Sequence, residues 1–127
     1  MPSKRLLALA DDDELLSEIL AGWLEQRGYN VLRFASGDAL VTWASGEGSD
    51  VDAILLDVDM PGRDGFESCR TLRAIPAYSA TPTVFVSSLA ADGIEARATE
   101  AGGSGFIRKD AAMFPALASW LSTTVPV

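Results

Sequence analysis

The chain alternates short, unbroken apolar runs with longer stretches in which apolar residues recur every three or four positions. Leu6 to Ala10 is a continuous apolar run, the pattern of a strand buried on both faces. Asp11, Asp12 and Asp13 follow. Leu16, Ile19, Leu20, Trp23 and Leu24 then stripe a helix that Gly28 closes. Val31 to Phe34 predicts a second strand. Ser36 can N-cap a helix carrying Leu40 and Trp43, and Gly46-Glu47-Gly48-Ser49 is a loop. Ala53 to Leu56 predicts a third buried strand ending at Asp57, and Pro61-Gly62 marks a turn. Phe66, Cys69 and Leu72 predict a helix that stops before Pro76. Thr83 to Val86 predicts a fourth strand ending at Ser87-Ser88. Ile94, Ala98 and Ala101 form a small-residue helix face, ended by Gly102-Gly103. Phe106-Ile107 is a short fifth strand ending at Lys109. Met113, Phe114, Leu117, Trp120 and Leu121 stripe a last helix, and Ser122 to Val127 reads as a frayed or linker-like tail.

Strict alternation of five strands with five helices predicts an α/β fold: a doubly wound, open parallel sheet with helices on both faces. Such sheets carry their sites at the carboxyl ends of the strands. Strand one delivers Asp11 and Asp12 to that edge, strand three Asp57, strand four Ser87 and strand five Lys109. The chemically pointed residues of the chain therefore meet on one edge.

Composition narrows the chemistry. The 127 residues suit one domain, 1–127, with a core over about 5–121. Apolar residues make up 48% and charged ones 22%, enough for a packed core. Lys and Arg number 10 against 18 Asp and Glu, a net charge of -8. That field repels nucleic acid and favours cations. No apolar run approaches the roughly 20 residues of a membrane helix. The basic start, Met1-Pro2-Ser3-Lys4-Arg5, precedes too short an apolar run for a secretory leader. The single cysteine, Cys69, allows no internal disulfide, so a cytoplasmic location is expected. With no histidine and no second cysteine, the usual zinc and haem sites are excluded, as is a histidine base.

Carboxylates on adjacent strand ends repel one another unless a cation joins them. An all-oxygen donor set favours Mg2+ or Mn2+ with waters completing an octahedron. The competing use of the aspartate triplet is an acidic cap on the first helix, a role that suits Asp13. Asp57 can act as a nucleophile toward phosphorus, or simply start a turn. Phosphoryl transfer demands in-line positioning and positive charge, which Lys109 can supply as a point charge. Ser87 offers a hydroxyl to a phosphoryl oxygen, and Ser88 competes with it.

With these residues in these places, the sequence resembles the receiver domain of bacterial response regulators, the single-domain chemotaxis regulator included. The resemblance runs from Leu6 to about Leu121. It rests on Leu9-Ala10-Asp11-Asp12-Asp13, on the stretch from Leu55-Leu56-Asp57 through Met60-Pro61-Gly62 to Asp64-Gly65, on Val84-Phe85-Val86-Ser87-Ser88 and on Gly105-Phe106-Ile107-Arg108-Lys109. It implies a flavodoxin-like sheet of order 2-1-3-4-5. It implies that Asp57 is the phosphoacceptor, served by a phosphohistidine on a partner histidine kinase or phosphotransfer protein. Asp11, Asp12, Asp57 and the backbone carbonyl of Asp59 would hold Mg2+ (or Mn2+). Lys109 would pair with Asp57 and then with the phosphoryl group. Ser87 would be the switch hydroxyl and Phe106 the switch aromatic. The face of helix four, strand five and helix five would then change its preference for a downstream effector or for an output domain on a longer chain. Dimerisation on phosphorylation is compatible with this scheme.

Four positions depart from the common pattern. Asp59 adds a fourth carboxylate near the site, and Ser88 is bulkier than the usual small residue after the switch hydroxyl. Both are expected to modulate phosphorylation. Asp110 replaces the proline that often follows the lysine, and Phe106 has no hydroxyl. Two other readings compete. Asp57-Val58-Asp59 matches the DxD of haloacid-dehalogenase-type phosphatases, although there the motif follows the first strand. A receiver used only as a phosphorylation-independent adaptor is the other. A nucleotide site would need a glycine-rich loop where Asp11, Asp12 and Asp13 stand.

Overall fold

The computed structural model describes residues 5–88 and 92–127. The basic start, Met1 to Lys4, lies outside the described residues. The elements run β1 (Arg5–Ala10), α1 (Glu14–Gln26), β2 (Tyr29–Phe34), α2 (Gly37–Ser45), β3 (Ala53–Asp57), α3 (Gly65–Arg73), β4 (Thr83–Ser87), α4 (Ile94–Glu100), β5 (Gly105–Arg108) and α5 (Met113–Thr124). The five strands form one sheet in the order β2-β1-β3-β4-β5, and every pairing is parallel. This is the doubly wound α/β fold expected, with the order that the resemblance implied.

The side-chain period of two along each strand divides the core. Leu7, Leu9, Leu55, Val84 and Val86 pack on one face with Leu20 and Leu24 of α1 and Leu117 and Leu121 of α5. Ala8, Ala10, Ile54, Leu56 and Phe85 pack on the other with Leu40 of α2, Phe66 and Leu72 of α3, and Ala98 of α4. The rings of Phe66 and Phe85 sit 5.0 Å apart within this second core. All of β3 and β4 is buried, so their unbroken apolar spelling follows from burial on both faces. Gly105 lets α5 approach β5, since a Cβ there would lie 3.0 Å from Trp120 Nε1.

Helix starts follow local chemistry. Asp13, Ser36 and Asp64 each accept the backbone N–H three residues on, from Leu16, Ala39 and Glu67. The tryptophans pack, as expected: Trp23 against Phe114 at 5.0 Å, Trp43 between Phe34 and Tyr78. Strand β2 begins at Tyr29, earlier than its apolar spelling suggests, and an unexpected 3-10 turn covers Pro76–Tyr78.

The tail corrects the expectation of fraying from Ser122. Helix α5 continues to Thr124, and Val125 is buried. The Val125 carbonyl accepts a 2.6 Å hydrogen bond from the Tyr29 hydroxyl, and its N–H donates to the Leu121 carbonyl at 2.8 Å. Those bonds satisfy the backbone while Val125 covers the base of the α1–α5 core. Burial pushes the Tyr29 phenol above its usual pKa, despite nearby Arg27 and Arg5. Among the described residues no helix is long and apolar enough to cross a membrane.

Candidate functional site

The carboxyl ends of β1, β3, β4 and β5 converge as the alternation predicts. Asp11 follows β1, is 3% exposed, and donates its backbone N–H to Phe34 at the end of β2 (3.1 Å). One of its carboxylate oxygens accepts the Asp13 N–H at 2.9 Å. The triplet is thus divided: Asp11 turns inward, Asp13 caps α1, and the exposed Asp12 stands beside Asp11. Asp57 is the last residue of β3 and is 5% exposed. One carboxylate oxygen from each of Asp11, Asp12 and Asp57 lies within 4.8 Å of the others.

Lys109 follows β5, and its backbone N–H bonds the Ser87 carbonyl at 2.9 Å, tying the ends of β4 and β5 together. Its ammonium reaches across the sheet edge, 2.9 Å from Asp11 Oδ2 and 3.3 Å from Asp57 Oδ1. One cation therefore bridges two buried acids within a group of three. Burial, and next the charge of Asp11, push the Asp57 carboxyl up to about 6, although Lys109 pulls it down. Burial alone would lower the Lys109 pKa. Its hydrogen bonds and charge contacts with Asp11 and Asp57 outweigh that and hold it above the usual value. The group keeps an excess of negative charge inside the protein, which a small divalent cation would neutralise. The donor set is all oxygen, and the buried Cys69 lies in the core under α3.

Ser87 is fully buried at the end of β4, while Ser88 is exposed. Asp59 is exposed, and the clustered acids are Asp11, Asp12 and Asp57. Phe106 is half-buried, pairs in register with Phe85, and lines a groove with Ala98 and Thr99 of α4. Asp110 starts the turn into α5. Its side chain accepts the Ala112 N–H at 2.9 Å, and its carbonyl accepts that of Met113.

Sequence reasoning missed two supports. Gly65 opens α3 directly against the backbone of Asp57: a Cβ there would collide with the Asp57 carbonyl oxygen and lie 2.8 Å from Val58 Cα. Its N–H closes the loop on the Val58 carbonyl at 2.9 Å. The Asp64-x-x-Glu67 cap was the available signal for a helix start here. Arg33 at the end of β2 braces the start of α1, donating to Ser17 Oγ (3.0 Å) and the Glu14 carbonyl (3.3 Å). Ser17 is buried in the first turn of α1, where the apolar pattern alone gives a polar residue no role.

The chain belongs to the response regulator receiver domains of two-component signalling. The family model for the response regulator receiver domain matches residues 7–117. Among curated proteins, the transcriptional regulatory protein ResD of Bacillus subtilis is 31% identical over 103 residues, spanning 81% of this chain and 41% of ResD. Response regulator PleD of Caulobacter vibrioides is 35% identical over 107 residues, 84% of this chain and 23% of PleD. The chain thus spans less than half the length of these relatives. Among solved structures, the Vibrio cholerae chemotaxis protein CheY4 superposes with a TM-score of 0.86 at 22% identity, covering 96% of this chain and 99% of that one, a likeness of fold. The receiver domain of a signal transduction histidine kinase from Syntrophus aciditrophicus superposes with a TM-score of 0.84 at 27% identity, covering 95% and 89%.

Proposed function

We propose that Asp57 accepts a phosphoryl group from a phosphohistidine on a partner kinase or phosphotransfer protein, and that the modified domain signals through the surface of α4, β5 and α5. The observation that carries this reading is the Lys109 ammonium bridging Asp11 and Asp57 within a three-carboxylate cluster at the sheet edge.

The carboxylates of Asp11, Asp12 and Asp57, with the backbone carbonyl of Asp59, would hold Mg2+ or Mn2+. The ion would neutralise charge on the phosphoryl oxygens and orient them. Asp57 attacks as a carboxylate: its oxygen–phosphorus bond forms as the phosphorus–nitrogen bond to the donor imidazole breaks. Lys109 holds Asp57 in place beforehand and pairs with a phosphoryl oxygen afterwards. Ser87 would donate its hydroxyl to another phosphoryl oxygen. Phe106, half-buried beside α4, would turn into the space its movement leaves. The phosphoryl group then biases an element that already has two arrangements. Asp59 and Ser88, both exposed, would set access for the donor and for hydrolytic water. A downstream effector or an output domain would read the altered face, with or without dimerisation.

Intact-protein mass spectrometry after incubation with acetyl phosphate tests this. The expected result is one added phosphoryl mass that requires Mg2+ and is absent in Asp57→Asn. Neither phosphorylation nor beryllofluoride binding by the wild type would leave the adaptor reading. Turnover of an external phosphomonoester would favour a phosphatase.

A further inference from the structure

The loop of residues 58–64, which carries Asp59, is pinned at both ends. Gly65 closes its base on Val58. At its far end Asp64 caps α3, its carbonyl accepting both the backbone N–H (2.9 Å) and the hydroxyl (2.7 Å) of the buried Ser68. Between these ends the loop leans on the first turn of α2. Gly37 has no side chain, and a Cβ there would collide with Ser68 Oγ and lie 3.0 Å from the Arg63 carbonyl and 3.3 Å from Met60 Cε. Gly62, with φ +74°, sits so close to Asp38 that a Cβ would lie 2.7 Å from Asp38 Oδ2. Arg63 completes the contact, its Nε 3.5 Å from Asp38 Oδ1. The Arg63 Nη1 atom is buried and makes no hydrogen bond, so part of the guanidinium is withdrawn from solvent. Asp38 lies in the first turn of α2, where the helix dipole favours its charge.

We propose that the Arg63–Asp38 pair fastens the 58–64 loop to α2 and thereby preorganises the Asp59 carbonyl for a divalent cation, making Arg63 and Asp38 positioning residues for the acidic site. This rests on the metal reading above. A small hard ion accepts little deviation from octahedral geometry, so a loop that must be ordered on binding weakens it. Side-chain exposures of 33% for Arg63 and 57% for Asp38 make this a screened pair of modest strength. Its loss should weaken Mg2+ binding about two- to fivefold.

The direction of the effect separates a tether from simple charge. Deleting the Arg63 cation leaves the site more negative, which by itself tightens Mg2+. Deleting the tether weakens it. Isothermal titration with MgCl2 on the full chain is the experiment, comparing wild type, Arg63→Met, Asp38→Asn, the double variant and the charge-swapped Asp38→Arg/Arg63→Asp. Expected are weaker binding in both single variants, no further loss in the double variant and partial recovery in the swap. Amide exchange at Asp59, Met60 and Gly62 in metal-free protein should quicken in the singles. Tighter or unchanged Mg2+ binding by Arg63→Met overturns the proposal, as does faster exchange with unaltered affinity. A wild type that binds no Mg2+, or binds it equally after Asp57→Asn, overturns instead the metal reading on which it rests.

Discussion

Lys109 shows how much one side chain does at this site. It neutralises part of a charge that three carboxylates create on the sheet edge, yet burial first and the Asp11 charge next still push the Asp57 carboxyl up to about 6. In the unfolded chain the same group titrates near 4. Between those values the native state binds more protons than the unfolded one, so stability falls as pH rises through about 4 to 6 and stays lowered above. Asp57→Asn removes that penalty. In metal-free protein the variant should be about 1–3 kcal/mol more stable than wild type at pH 7, with the gain gone near pH 4. Urea denaturation at the two pH values measures it, and equal stabilities at pH 7 would contradict the buried excess charge. Lys109→Met works in the opposite sense. It leaves Asp11 and Asp57 without their cation, and the Asp57 midpoint, followed by carboxyl-carbon NMR, should climb above its wild-type value. The acids and the lysine were legible as strand-end residues. Asp13 was legible as the helix cap, and it caps α1; the burial of Asp11 and the exposure of Asp12 depend on the direction each side chain takes after β1.

At the scale of elements, the junction of β3 and α3 is the most constrained. Gly65 has a helical neighbour on one side and the Asp57 backbone on the other, with no volume for a methyl group. Gly65→Ala should cost about 1–3 kcal/mol by overpacking and slow phosphorylation by acetyl phosphate, because the backbone that aims Asp57 must shift. Asp64→Ala, which removes only the cap, should cost about 1 kcal/mol and leave the phosphorylation rate close to wild type. Comparing the pair separates the aim of Asp57 from helix stability. At the other edge, Tyr29→Phe strands a buried carbonyl at Val125 and should cost about 1–3 kcal/mol, with faster amide exchange at residues 121–125. That element end was misjudged from sequence because Ser122, Thr123 and Thr124 look like a solvent-facing end. The partner that orders it is 96 positions away in the chain.

Across the whole molecule, the sheet separates two cores, and the site edge connects them. Ser87 ends the buried β4, and Phe106 stands one strand over beside α4. Beryllofluoride with Mg2+ should therefore shift the amide resonances of Ser87, Phe106 and residues 98–105 in the wild type and leave them in place in Asp57→Asn. Shifts confined to the neighbourhood of Asp57 would sink the proposed path to the α4–β5–α5 surface. The sequence by itself determined the alternation of strands and helices, the class of sheet and the edge on which Asp11, Asp12, Asp57, Ser87 and Lys109 meet. These follow from periodicity and from the rule that parallel sheets expose their carboxyl ends, and both are local or topological. The tertiary structure alone decided the contact of Lys109 with Asp11, the pressure of Gly65 on Asp57, the Arg63–Asp38 contact and the seating of Val125. Each sets a separation of a few ångströms, and all but the Gly65 contact join residues distant in sequence. No one-dimensional pattern sets such distances; close packing of the two cores does.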